Sequence, residues 1–370
     1  MKKHTIAFLV CTLMLGLNLS PIEASPDIHG DFFSQLQVGL EDPYGISGQQ
    51  ELNLTLEQRF ESSAFYAGIK GVHKWPKAGG NQQWFLDLDE AYVDYYGKDL
   101  DIRFGRQRIS WGTAMQINPT SVTNPMDITN PLGDKLPVYA LNLDYYLNDM
   151  FKVTGVYVPF FKPALEAIPG NPLIGIIKPE TSLENGEYAM KLSAMGLGGV
   201  DLSLSYFTGK EDLPTPVMEP GTSPYAIYRD VQIIGADFAS TLGQVGVWAE
   251  GALSIPKDGQ TYYQGVVGAD YGFENGLIVM GQYVHQNRND QTTNLLILGA
   301  NQSLGLYEWR LGVVCNLGVQ SFMFNPEVSY SLADATTLIV GARYFGNKNG
   351  PVGMLPQEQN QFYAQVKVSF

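Results

Sequence analysis

Apolar residues in this chain fall at every second position almost throughout, and beyond the first twenty residues no run is long and apolar enough for a bilayer-spanning helix. Such a helix needs about 20 consecutive apolar residues. The pattern is plainest over residues 361–370. Phe362, Ala364, Val366, Val368 and Phe370 share one phase, and Gln361, Tyr363, Gln365, Lys367 and Ser369 the other. Successive side chains of a strand point to opposite faces, so this segment has an apolar face and a mostly polar one. A soluble sandwich explains that alternation in a few strands. Its repetition along the chain, behind an export signal, points instead to a closed barrel with lipid outside and water inside. Closure is required because every backbone N–H and C=O in lipid needs a partner within the protein.

The export signal is read from residues 1–24. Lys2 and Lys3 precede an apolar run over residues 6–19, and Ala24 offers a small residue at a cleavage position. The expected division is therefore a signal peptide, 1–24, and a barrel, 25–370. Cys11 falls within the signal, leaving Cys315 alone in the mature chain and no disulfide framework. Forty glycines and 21 tyrosines against 16% charged residues suit strands, tight turns and interfacial aromatic belts.

Segmentation by alternation predicts about 18 strands, an even number as single-chain bacterial barrels show, with 16 as the alternative. The alternation of short turns with longer loops is clear through residue 286. It persists to the end only if residues 294–301 form a separate strand. Slips in the pattern at residues 88–91 and near Gly105 predict bulges. Three long insertions, at 110–135, 160–186 and 208–228, read as loops. No internal repeat, domain boundary or separate plug domain is evident.

The formal charge of −14 becomes −15 once residues 1–24 are removed. It argues against nucleic-acid binding, which requires basic patches. It fits either a cation-preferring lumen or surface that meets divalent ions, or simply acidic, hydrated loops. The enzymatic signals are weak. There is no Gly-x-Ser-x-Gly elbow, no His-Glu-x-x-His and no cysteine pair, and the mature histidines are His29, His73 and His285. A barrel hydrolase would require His285 with a nearby serine. A calcium site at Asp87, Asp89 and Glu90 is disfavoured because adjacent strand positions face opposite ways. No metal, cofactor or catalytic residue is expected.

The most distinctive stretch runs from Arg103 through Gly105-Arg106-Gln107-Arg108 and Trp111-Gly112 to Asn118-Pro119, Asn124-Pro125, Asp127 and Asn130-Pro131. Proline lacks a donor and forces extended geometry on the residue before it, so this segment is no helix. Folding 110–135 into the barrel mouth would satisfy its backbone and narrow the lumen; a mobile outer loop is the alternative. With Glu90-Ala91-Tyr92-Val93-Asp94, the stretch resembles a poorly characterised group of porin-like outer-membrane barrel proteins of diderm bacteria. The resemblance is concentrated in residues 86–131. It implies an all-β transmembrane barrel in the outer membrane, no enzymatic residues and no assignable solute.

The residues expected to line or constrict the lumen are Glu57, Arg59, Asp101, Arg103, Arg106, Arg108, Trp111, Asn118, Asp127, Glu187, Lys191 and Glu250, with Asp201, Asp270 and Lys367 on the same polar phases. A basic side chain facing lipid at mid-depth costs about 2–4 kcal/mol, so these charges should face water. They would give a transverse field that selects solutes, or only a hydrated lining. Phe362, Val366, Val368 and Phe370 resemble the signal read by the barrel assembly machinery; strand addition to a sheet edge supplies a mechanism. The expectation is passive diffusion of small hydrophilic solutes, with outer-membrane lipids and that machinery as partners. A homotrimer is suggested by analogy of size alone. A structural or adhesive barrel is the alternative.

Overall fold

The computed structural model describes residues 25–41, 44–76, 81–128, 135–165, 175–219, 221, 223–347 and 360–370. The expected signal peptide and Asn130-Pro131 lie outside the described residues. The strands, in chain order, are β1 (Asp27–Gly39), β2 (Ile46–Arg59), β3 (Ser63–Trp75), β4 (Gln83–Tyr96), β5 (Leu100–Gln107), β6 (Val138–Tyr146), β7 (Phe151–Val158), β8 (Gly175–Ile177), β9 (Glu187–Ala194), β10 (Val200–Lys210), β11 (Thr215–Val217), β12 (Tyr225–Ile227), β13 (Asp230–Leu242), β14 (Val245–Pro256), β15 (Tyr262–Gly272), β16 (Leu277–Arg288), β17 (Gln291–Leu304), β18 (Tyr307–Asn316), β19 (Ser321–Ala333), β20 (Thr336–Gly346) and β21 (Gln361–Ser369). No helix among the described residues is long and apolar enough to cross a membrane.

Eighteen of these strands form one antiparallel sheet, each bonded to the next in the chain. The sheet closes on itself where β21 pairs with β1, Phe32 opposite Val368 and Val38 opposite Phe362. Closure leaves no edge for lipid to desolvate. Phe370 completes the seam: its N–H donates to Gly30 O at 2.9 Å, and Gly30 N–H donates to Phe370 O at 2.8 Å. The count is 18, not 16, and residues 294–301 fall within a strand of their own, β17. Asn289 and Asp290, with φ of 51° and 59°, make the two-residue turn that joins β16 to β17.

The side-chain phase is consistent around the ring. Leu52, Leu192, Leu204, Leu253, Leu298, Val340 and Val366 are among the exposed residues of the outward phase. Asn53, Lys70, Asp94, Asp144, Asp237 and Glu308 stand on the inward phase. Short connections cluster at one end (the turn end), longer ones at the other (the loop end). The wall is uneven in height. β1–β4 contain 13 or 14 residues each, whereas β5, β6, β7 and β9 contain eight or nine.

The bulge expected at residues 88–91 is present: the β3–β4 register shifts between Ala67 and Ile69, opposite Leu88 and Ala91. No bulge occurs at Gly105, where pairing to β4 and β6 continues unbroken. Gly105 instead adopts φ +138°, and a Cβ there would lie 2.3 Å from Ala91 O. Close backbone approach and an unusual φ, not an extra residue, explain that glycine. The insertions expected as plain loops carry a second, small sheet. β8 runs parallel to β12, and β11 antiparallel to it, so residues from two insertions build one unit.

The inward phase is not polar along its whole length. Towards the loop end it carries two buried apolar clusters. One joins Trp248, Val266, Val284, Leu295, Ile297, Val314, Met323 and Phe345 to Ala114. The other joins Val138, Ala140, Val156, Val158, Ala189, Phe207 and Val231 to Ile109 and Trp111. In each, the partner of the wall is the segment that follows β5.

Candidate functional site

That segment leaves β5 through a dense set of polar contacts. Arg103 makes a two-pronged bond to Asp94, at 2.6 and 2.8 Å, and its guanidinium lies 3.9 Å from the centre of the Tyr92 ring. Gln107 is fully buried and donates to Ala140 O at 2.9 Å. Arg108 pairs with Asp89 at 2.5 Å and with Glu90 at 3.2 Å, and donates through Nε to Lys135 O. The Arg108 backbone N–H donates to Glu90 Oε1. Planar, two-pronged arginine–carboxylate bonds fix direction as well as charge.

Asn124 closes the neck of the loop. Its Oδ1 accepts from Ile109 N–H at 2.7 Å, while its Nδ2 donates to Gln107 O at 3.1 Å and Leu136 O at 2.8 Å. One side chain thus ties the outgoing strand to the returning chain. Pro125 next to it keeps that backbone extended.

From this neck the loop crosses the lumen to the opposite wall. The Glu250 carboxylate, on β14, accepts from the N–H groups of Thr113 and Ala114, the latter at 2.9 Å, and from Asn118 Nδ2 at 3.4 Å. On β16, Gln282 accepts from Met115 N–H at 2.9 Å and donates to Met115 O at 2.7 Å. Trp248 Nε1 donates to the same Gln282 oxygen. Glu250 and Gln282 are 4% and 1% exposed. Such buried groups are costly unless bonded, and here the loop backbone supplies their partners. Gly112 has φ +88°, and a Cβ there would lie 1.9 Å from Glu250 Oε1. Only glycine passes this point.

Beneath the loop, against the β5–β9 wall, lies a cavity of about 270 Å³. Its charged lining is Arg103, Arg108, Lys152, Lys191 and Asp144. Lys152 is 3.4 Å from Asp144, and Lys191 is 3.4 Å from Asp237 and 5.9 Å from the Trp111 ring centre. Gln107 Oε1 and Asn142 Oδ1, on two further lining residues, have no hydrogen-bond partner among the described residues. This wall presents cations to the lumen, while the acidic Glu250 opposite is consumed by the loop.

The described residues therefore bring together Arg103, Arg108, Trp111, Asn118, Lys191 and Glu250. Arg106 stands in the outward phase by pairing, yet its guanidinium reaches Asp87 at 2.7 Å. Asp127 lies further along the loop, electrostatically close to Lys162. Glu57 and Arg59 pair with each other towards the turn end, Asp101 accepts from Tyr146 there, and Asp201 accepts from Gly196 N–H in a turn. Asp270 also lies towards the turn end, beside Gly246, and Lys367 is 3.1 Å from Asp31. Glu187 is 5% exposed and accepts from Lys210 N–H, so it caps a strand end instead of lining open space. Asp87, Asp89 and Glu90 are held by Arg106 and Arg108, and no metal-binding group of three is found among the described residues. His285 lies on the outward phase, 2.7 Å from Asn294 Oδ1 and 3.4 Å from the Tyr263 hydroxyl.

A family model covers residues 61–345, the span that contains the neck, the loop and both docking walls. The chain belongs to the family described as "Protein of unknown function (DUF1302)". This DUF1302 chain matches no curated protein. Among solved structures it is similar to a mutant porin of Rh. blastica, with TM-score 0.47 and 13% identity over 94% of this chain and 100% of that one. It is similar also to Salmonella typhi OmpF in complex with daunomycin, with TM-score 0.47 and 12% identity over 93% and 97%. Sequence reading missed Gln282, Asn124's bridging role and the two apolar inner patches. A signal for the patches was present: doubled apolar runs such as Leu295-Leu296-Ile297-Leu298 and Val313-Val314 place apolar residues on both faces.

Proposed function

We propose that this DUF1302 protein is an outer-membrane channel that passes small hydrophilic solutes by passive diffusion, without enzymatic activity. The observation that carries this reading is the loop at 110–128, which crosses the interior and docks on Glu250 and Gln282 of the far wall. A barrel with nothing to restrict would have no use for a fixed constriction anchored on both sides. The cationic wall of Arg103, Lys152 and Lys191 beside the loop favours solutes with anionic or hydroxyl groups.

In this reading the turn end faces the periplasm and the loop end the exterior, as short turns and long loops are distributed in outer-membrane barrels. The apolar outward phase meets outer-membrane lipids. The β21 edge, ending on Phe370 at the β1 seam, is the segment offered to the barrel assembly machinery before closure. A homotrimer is the proposed assembly.

Single-channel conductance of the purified protein in planar bilayers tests the reading. Discrete openings that enlarge when Glu250 is replaced support it; folded protein with no conductance, with or without the loop, overturns it. A structural or adhesive barrel is the second reading, favoured by the two apolar clusters packed within the mouth.

A further inference from the structure

Two amide groups on the inner wall lack the partners that burial demands. Gln107, at the end of β5, is fully buried; its Nε2 donates to Ala140 O at 2.9 Å and lies 3.4 Å from Gly105 O. Those carbonyls fix which end of the amide is nitrogen, so Oε1 is the end left without a donor among the described residues. Asn142, opposite Arg103 in the β5–β6 register, leaves its Oδ1 in the same state. A buried acceptor without a donor costs about 1–3 kcal/mol. Both residues line the cavity of about 270 Å³ beneath the loop, and that cavity is the space from which a donor can come.

The rest of the lining narrows what that donor belongs to. Only Ile109 and Trp111 are apolar among the lining residues, whereas sites for apolar ligands are lined mostly by apolar side chains. Arg103, Arg108, Lys152 and Lys191 surround the cavity with cations, which repel a ligand ammonium or a metal ion. Each of the four is already paired: Arg103 with Asp94, Arg108 with Asp89 and Glu90, Lys152 with Asp144, and Lys191 with Asp237. The wall therefore needs no anion to balance it. Each lysine still keeps ammonium protons beyond its carboxylate contact. What fits is an uncharged group that donates to an amide oxygen and accepts from an ammonium, and that group is a hydroxyl. The volume lies below the about 300–1,000 Å³ of drug-sized sites, so the cavity takes one small molecule.

We propose that this cavity is a saturable binding site for one neutral polyhydroxylated solute of monosaccharide size, whose hydroxyl groups donate to Gln107 Oε1 and Asn142 Oδ1 and accept from Lys152 and Lys191. The solute supplies the two donors that the fold withholds. The passage of that solute through the barrel rests on the channel reading; its retention in the cavity is measured without conduction.

Saturation-transfer NMR on the detergent-folded protein tests it, with D-glucose, D-galactose, D-mannose and D-sorbitol as probes, alongside KCl conductance of the same preparation. At least one of these probes should saturate a single site. D-glucuronate and D-glucosamine, which add a negative and a positive charge, should bind no more tightly than D-glucose. Asn142→Leu removes an acceptor that bonds nothing in the fold, and it should weaken binding on the order of tenfold. Ser110→Phe puts a ring into the cavity from an exposed lining position and should abolish binding. No saturable binding of any neutral probe overturns the inference, with the amides then left to water; KCl conductance in that same protein would keep the channel reading. Saturable binding in a barrel that does not conduct supports the site and overturns the channel reading. Native affinity in both folded variants overturns the site, as does D-glucuronate binding more tightly than D-glucose. Should Ser110→Phe fail to fold, Asn142→Leu decides by the same criteria.

Discussion

The Glu250 carboxylate on β14 accepts a 2.9 Å hydrogen bond from the backbone N–H of Ala114, more than a hundred residues away in sequence and across the lumen. It accepts from Thr113 N–H as well. Charge-assisted bonds of this kind contribute about 1.5–3 kcal/mol each, and breaking them leaves buried groups unsatisfied on both sides. Glu250→Ala should therefore free the loop, lower the thermal unfolding midpoint and raise single-channel conductance. Glu250→Gln, which keeps acceptors but not charge, should fall between. Conductance in the Ala variant equal to the native value would show that the loop does not limit flow.

Gly112 makes that approach feasible. Any Cβ would collide with the carboxylate, at a φ that side chains rarely adopt. Gly112→Ala should destabilise the folded barrel by about 1–3 kcal/mol. Denaturant titration of the detergent-folded protein, followed by heat-modifiable gel mobility, measures it. An unchanged midpoint would contradict the geometry.

Arg103 is held by both prongs of Asp94 and by the face of Tyr92. Lysine keeps the charge but neither the fork nor the planar stack. Arg103→Lys should weaken anion preference little while loosening the wall of the cavity, seen as noisier open-channel current. Arg103→Gln should shift reversal potentials toward cations. A reversal potential that does not move would remove Arg103 from the conduction path.

Asp212 lies in the loop after β10, and burial pushes its carboxyl up to about 7, with Lys135 opposing the shift and Glu211 reinforcing it. Its folded pKa exceeds the unfolded value, so its contribution to stability is fully present below about 4 and is lost as pH rises through about 7. The loop end should thus be more stable at pH 5 than at pH 8. Asp212→Asn should flatten that difference. Melting curves of both proteins across this range test it; an equal slope in the variant would contradict the assignment.

Much of the fold was legible in the residues because a barrel in lipid imposes one rule on every strand. Lipid-facing Phe362, Val366 and Val368 alternate with Tyr363, Gln365 and Lys367, and that phase propagates through register to every neighbour. The inward loop was legible as a stretch that could not be regular, but nothing in its proline spacing singled out Asn124 as the neck. Its landing place was not legible. Glu250 looks in sequence like any inward-phase carboxylate, since nothing local records that its partners lie at residues 113–118. Gln282 gave even less signal. Glu57, Arg59 and Asp101 show the opposite failure: phase places them inward, but depth, which alternation does not encode, places them towards the turn end. The β8–β11–β12 sheet was hidden because its three-residue strands are too short to show a period.

The central claim is that the loop after β5 is fixed to the far wall at Met115 and Gln282. Cross-linking tests it most directly, using Met115→Cys with Gln282→Cys in a Cys315→Ser background, folded in detergent and treated with a short bis-maleimide. The structure predicts an efficient intramolecular cross-link and conductance held at the native level. No cross-link between Met115→Cys and Gln282→Cys in folded protein would mean that the loop does not cross the lumen.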